Sequence, residues 1–307
     1  DPRALIDSYG DAWLFPDHPY GRPVGGSEGT LAAVTLEDVK RFYADQVGGD
    51  RLIIAVVGDI DARAMRDKLE RAFGGWRKAG AAVPTVQAPS RAAGRKVLLV
   101  DKPGATQTYF WLGNLGASRT DPARTTQSVV NTVFGGRYTS MLNTALRIDS
   151  GLTYGASASF DRGSQPGAYG IASYTQTEST VQAIDLALAT LERLRRDALD
   201  ADTLASSKSY MLGQFPPTLE TNGQLAARLA DLMLYGLGPE DVDQYADRIA
   251  AADSTAVRTT IDKSFPNPND LAIVLIGDAS KIRDQVKKYG PVTEMKITDP
   301  QFAPLAR

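Results

Sequence analysis

The apolar positions of this chain change period several times, and each change marks an element. Leu5, Ile6, Tyr9 and Trp13 fall at helical spacing and predict a helix over 1–15. A Gly/Pro-rich loop containing HPYGRPVGG follows over 16–30. Thr35 caps a predicted helix that runs to about Val47, with Leu36, Val39, Phe42 and Tyr43 on one face. Leu52 to Val57 is a continuous Ile/Val-rich run, the pattern of a buried strand. Asp61 starts another helix, in which Met65, Leu69 and Phe73 recur four apart, and Gly74-Gly75 ends it. Residues 77–95 have no apolar period and are rich in Ala, Pro and Gly, which reads as a linker.

Beyond that linker, 96–101 and 106–113 predict strands, and Asp121-Pro122 opens a helix. Gly135-Gly136 makes a break before a predicted helix over 138–148, and strands are expected at 152–161 and 167–175. Helices dominate from 178 to 264, interrupted near Pro216-Pro217 and from Gly236 to Pro239. A strand–helix–strand closes the chain.

One similarity within the chain changes the picture. LIIAVVGD at 52–59 returns as LAIVLIGD at 271–278, an offset of 219 residues, and each copy sits between helices. Solenoid periods are far shorter, so the offset points to two copies of one domain. The second copy occupies about 96–307. The first retains its last part, 1–76, which reads as a trimmed or partial chain.

The chain has 307 residues, 43% of them hydrophobic and 23% charged, with a net charge of −2. This is enough apolar material for one or two cores, and it excludes disorder as the main state. The balance offers no broad basic face for nucleic acid. No apolar run approaches the length of a membrane span. There is no cysteine, which removes disulfides, thiolate metal cages and a cysteine nucleophile. There is one histidine, His18, which removes any internal two-histidine zinc site. It sits in a proline-bracketed loop, where a structural or solvent-facing role is expected. No P-loop and no dinucleotide fingerprint occur. In VVGDID, Asp59 is read as a turn residue and Asp61 as a helix cap.

The stretch richest in chemistry is GGRYTSMLNTALRIDSGLTYG, residues 135–155. It places a permanently charged five-donor group, Arg147, seven positions before a phenol, Tyr154, across a helix-to-strand turn. Such a pair can converge on one anion, either a carboxylate or a carbonyl oxygen becoming an oxyanion. On residue type alone the plainer reading is favoured, with Arg147 complementing its own helix end and Tyr154 packing in a core, since arginines are common at helix ends.

Four stretches in order resemble the M16 metallopeptidases, the inverted-zincin family of pitrilysin, insulin-degrading enzyme and the mitochondrial processing peptidase. They are DHPYGRPVGG with TLEDVKRFYADQV, RLIIAVVGDID with LERAFGGW, the SML–ALR–GLTYG segment of 140–155, and GQFPPTLETNGQLAARLADLMLYGLG. The resemblance implies an α+β fold of duplicated domains, each with a mixed or antiparallel sheet and packed helices, of the LuxS/MPP-like metallohydrolase type. Residues 1–76 would be the C-terminal part of the first domain, 77–95 the linker and 96–307 the second domain.

In the family the first domain carries His-x-x-Glu-His and a distal Glu, which hold zinc and activate water. The second supplies an Arg and a Tyr seven apart, here matching Arg147 and Tyr154, for peptide binding and transition-state stabilisation. This sequence contains no His-x-x-Glu-His, so zinc belongs to the complete enzyme or to a partner subunit, and none is expected on this chain. The implied function is the substrate-binding part of a zinc endopeptidase. The alternative is a non-catalytic partner subunit, scaffold or peptide-binding protein of the same family. The implied partners are a peptide or unfolded protein and the missing first-domain half or a zinc-bearing M16 subunit. The compartment stays open, with the bacterial periplasm favoured over the cytoplasm.

Overall fold

The computed structural model describes residues 1–304. Contacts divide the chain into two compact units. The first contains Asp1–Ser27, Gln87–Met211 and the described residues from Ala246 on. The second contains Glu28–Val86 and Leu212–Tyr245. These lines differ from the sequence-based division: residues 1–27 pack with the large sheet, and so does the later half of the expected linker. The causes are local. Ile6, Tyr9, Leu14 and Phe15 form an apolar stripe that is buried in the sheet's core. Asn114 then holds the backbone of Ala92 from both sides, accepting from its N–H and donating to its carbonyl at 3.0 Å each.

The first unit is built on a six-stranded mixed sheet. Its strands are β1 (Lys96–Asp101), β2 (Gln107–Leu115), β3 (Ala156–Arg162), β4 (Pro166–Gln176), β5 (Ala272–Gly277) and β6 (Val292–Lys296). Their spatial order is β3-β4-β2-β5-β1-β6. β5 lies between a parallel neighbour, β1, and an antiparallel one, β2. All six of its residues are buried, which is why AIVLIG shows no polar alternation.

Alternate residues of the strands face opposite layers. Leu98, Val100, Trp111, Val274 and Ile276 share a core cluster with helix Pro2–Leu14. Gly10 permits that approach, since a Cβ there would lie 2.8 Å from the Trp111 ring. Trp13 Nε1 donates to the Lys96 carbonyl, and Lys96 Nζ returns a bond to the Trp13 carbonyl at 2.6 Å. On the other layer Tyr169 and Phe134 pack edge-on to Phe265, with centroids 5.0 and 6.5 Å away. These rings join β4 to helices Arg124–Phe134 and Ser254–Ser264.

The second unit contains helices Leu36–Gln46, Ala62–Phe73 and Asn222–Leu234. Their starts match the capping signals. Thr35 and Asp38 form a capping box, Asp61 accepts from Ala64 N, and Thr221 pairs with Gln224. No residue of the first two helices is buried.

The expected strand at 52–57 is corrected here. The segment pairs with no strand among the described residues, and Leu52, Ile54 and Val56 remain 38%, 37% and 39% exposed. Its twin at 272–277 has a similar Ile/Val/Leu-rich composition and is the fully buried β5. Composition confers the tendency to extend, but a strand also needs a neighbour's backbone. Among the described residues no helix is long and apolar enough to cross a membrane.

Candidate functional site

The chemistry-rich stretch folds as a tight relay from helix to strand. Ser140 caps a single α-turn, Met141–Asn143, by accepting from Asn143 N. The expected helix 138–148 does not continue in α-form. Thr144–Asp149 is a π-turn, and Arg147 lies in it. A π-turn widens the helix and re-aims its side chains, and such turns recur at functional positions.

Gly151 then adopts φ 64°, a left-handed conformation that suits glycine. It lets the chain fold back so that Leu152 N and Thr153 N both donate to Leu146 O. The expected strand 152–161 therefore starts later, at Ala156. Buried hydroxyls fix the intervening loop. Thr175 Oγ1 donates to Leu152 O at 2.6 Å, and Ser173 Oγ donates to Gly155 O at 2.9 Å. Asn143 donates to Tyr138 O and accepts from Ala156 N, which ties both ends of the relay together.

This backbone brings Arg147 and Tyr154 together. The guanidinium carbon of Arg147 lies 4.4 Å from the ring centroid of Tyr154 and 5.0 Å from that of Tyr138. Both tyrosines are open to solvent, at 73% and 61% exposure. Tyr154 thus does not pack in a core. Among the described residues the Arg147 side chain makes no hydrogen bond and no ion pair, so it does not cap its own helix end. The cation sits over both rings, and its N–H donors have no acceptor among the described residues.

The pair borders a cavity of 610 Å³ within the first unit. Tyr109 and Tyr174, stacked with centroids 5.0 Å apart, line it from β2 and β4. Arg3, Asp7, Arg137 and Tyr210 line it from other elements. Sequence reasoning missed these residues. Tyr109 and Tyr174 sit directly opposite in the β2–β4 register, a pairing that only the folded sheet reveals. Arg137 and Tyr138 belong to the stretch singled out above.

The outer edge of β3 beside this site is closed over its first residues. Ala156 N and Ala158 N donate to Asn143 Oδ1 and Gly135 O, and Asn131 Nδ2 donates to Ala158 O. An extended peptide cannot add as a strand there without displacing these bonds.

The donor set does not fit a zinc ion. His18 Nδ1 accepts from Tyr20 N, and Nε2 faces Gln87 O at 3.1 Å, so both ring nitrogens are engaged in structure. Among the described residues no group of three His, Cys, Asp or Glu side chains could hold a metal. One carboxyl stands out electrostatically. Asp11, on the first helix, is pushed up to about 7 by burial and by the nearby carboxylates of Asp161 and Asp7.

Residues 33–211 match the family described as "Peptidase M16 inactive domain", and the chain belongs to that family. It is 28% identical over 295 residues to an uncharacterized zinc protease of Streptomyces coelicolor, covering 93% of this chain and 64% of that protein. It is 26% identical over 264 residues to the uncharacterized zinc protease YmxG of Bacillus subtilis, covering 85% of this chain and 62% of that protein. The chain thus spans less than two thirds of the length of these curated relatives. The fold matches the peptidase M16 inactive domain of Pseudomonas fluorescens with a TM-score of 0.81, at 22% identity over 90% of this chain and 66% of that one. A protease of Helicobacter pylori matches with a TM-score of 0.78, at 17% identity over 89% of this chain and 66% of that one. The α+β, mixed-sheet class expected from the sequence is the observed one.

Proposed function

We propose that this chain is the substrate-binding part of a zinc-dependent M16 endopeptidase. In this reading Arg147 and Tyr154 bind the peptide and stabilise the oxyanion that forms at the scissile carbonyl. The observation that carries it is the Arg147 guanidinium, held against two tyrosine rings at a cavity's rim with no acceptor of its own. A preorganised donor aimed at developing charge contributes most where water is partly excluded. The tyrosine rings keep Arg147 from collapsing onto a helix carbonyl, and the Tyr154 phenol adds a second donor. The proposed division by ancestry is 1–76 and 96–307, joined by 77–95.

Metal and activated water are assigned to a different polypeptide segment, the first-domain half or a zinc-bearing M16 subunit. The names of the relatives as zinc proteases support this, together with the misfit between zinc and the donors here. The second unit supports the need for a partner. Its 52–57 segment pairs with no strand among the described residues, and the apolar face of Leu36–Gln46 carries exposed Leu36, Val39, Phe42 and Tyr43. A non-catalytic scaffold is the second reading, favoured by the same lack of a metal donor set.

Arg147→Ala in the complete protein separates the two. Oxyanion stabilisation predicts a fall in kcat of about 10²-fold or more, with a smaller change in peptide affinity. Unchanged turnover removes the catalytic assignment.

A further inference from the structure

The cavity beside Arg147 has an unbalanced charge. Three guanidinium groups, those of Arg3, Arg137 and Arg147, line it against a single carboxylate, Asp7. None of the three arginines forms an ion pair with a described residue. Elsewhere Arg41, Arg196, Arg258 and Arg283 pair with carboxylates, whereas Arg63, Arg66 and Arg71 form no ion pair with a described residue, so what marks this cavity is that three such arginines line it together. The chain as a whole carries −2, so the local excess of positive charge is not a by-product of composition.

Arg137 is the most constrained of the three. Its Nη1 donates to Ser206 Oγ at 2.9 Å, which fixes one end of the fork. Its Nε is buried and meets no acceptor. Among the described residues its Nη2 has no hydrogen-bond partner and is not buried, so the outer end of the fork is open to a carboxylate ligand. The tyrosines around it give the wall a partly apolar character, which suits the methylenes of an acidic side chain.

We propose that Arg137, aided by Arg3, forms a subsite for an acidic side chain of the bound peptide, next to the backbone-binding pair Arg147 and Tyr154. This rests on the peptide-binding reading above and adds to it a preference for Glu or Asp in the residue that occupies the cavity. Arg137 acts here as a specificity residue. The bidentate fork recognises a carboxylate and discriminates against its neutral amide, because the amide presents one acceptor and a clashing N–H₂.

The test uses the 1–307 chain and three labelled, N-acetylated decapeptides of Gly, Ser, Ala and Leu. One has a central Glu and an amidated end. The second has Gln in place of Glu. The third has Gln and a free terminal carboxylate. Fluorescence anisotropy gives each affinity. The expected result is a preference for the Glu peptide of about tenfold over both others, shrinking as salt is raised. Arg137→Gln should abolish that preference while leaving the Gln-peptide affinity within about twofold, and Arg137→Lys should retain part of it. Matching thermal melts would show that the variants fold.

Equal affinities in the wild type overturn the subsite, as does a preference that survives in Arg137→Gln. Tighter binding of the free-carboxylate peptide assigns the cavity to a chain end and also overturns it. If Arg147→Ala weakens all three peptides alike while no Glu preference exists, the peptide-binding reading survives without the subsite. If no peptide binds, or Arg147→Ala changes nothing, both fall.

Discussion

Thr175, buried on β4, donates its hydroxyl to the carbonyl of Leu152 at 2.6 Å, and so anchors the loop between the two candidate site residues to the sheet. Thr175→Val keeps the shape and removes the donor, leaving a carbonyl unsatisfied. The expected loss is about 1–2 kcal/mol of stability in urea unfolding. Peptide affinity should fall as well, at a temperature where the variant is still folded. A variant with lowered stability and unaltered binding would mean that the loop holds its position without this bond.

Tyr154→Phe separates the ring from the phenol. The ring contact with Arg147 stays, so peptide affinity should stay within about twofold, while kcat of the complete protein falls about tenfold through loss of one donor. Tyr154→Ala should lower both. Equal kinetics for the wild type and Tyr154→Phe would reduce the tyrosine to a prop for Arg147.

Asp11 makes stability depend on pH. Its folded-state value of about 7 lies above that of an unfolded aspartate, so the native state binds more protons between roughly pH 4 and 7. The contribution of Asp11 to stability should therefore be most favourable below that window, decline as pH rises through it, and level off above. Asp11→Asn should flatten the slope and add about 1–3 kcal/mol at pH 8. Urea melts at pH 5, 6, 7 and 8 give the slope directly, and a slope unchanged by the substitution would assign it to other groups.

Gly10 faces the Trp111 ring so closely that a methyl group cannot be added without moving the indole. Gly10→Ala raises helix propensity by about 1 kcal/mol, yet overpacking of the core should outweigh that gain and leave a net loss of roughly 1–2 kcal/mol. A stabilised variant in thermal unfolding would show that the helix can shift along the sheet at little cost.

The 52–57 segment, which pairs with no strand among the described residues, should make the isolated chain prone to association, since an apolar run with open backbone groups is a template for strand addition. Ile54→Lys with Val56→Lys should reduce self-association in sedimentation velocity without changing the peptide-binding unit. The same pair of changes should weaken capture of the proposed first-domain partner. Association that persists at full strength would place the sticky surface elsewhere, on the Phe42 face.

How far the sequence could be read depends on the range of the forces involved. Helix starts at Thr35 and Asp61 were legible, because a cap is settled by the backbone amides of its own first turn. Strands β1 and β5 were legible because burial on both faces leaves continuous apolar runs. The proximity of Arg147 and Tyr154 was suggested by spacing. The π-turn that aims Arg147 was not, because it arises from Leu142 and Leu146 being buried while the loop folds back on Leu146 O. Residues 52–57 misled for the converse reason: they have the composition of a centre strand and no strand partner among the described residues. Tyr109, Tyr174 and Tyr210 meet at one cavity only through tertiary packing, for which no local signal exists.

The position of β5 has a consequence for how the molecule is made. The strand at the middle of the sheet arrives late in the chain, while both of its neighbours are already complete far upstream. During synthesis β1 and β2 must wait with their inner edges bare until Gly277 has left the ribosome, and β6 joins the outer edge of β1 later still. Any ribosomal stall or proteolytic cut shortly before Ala272 would leave β1 a lone strand without either of its partners, and the β3-β4-β2 sheet with a bare edge.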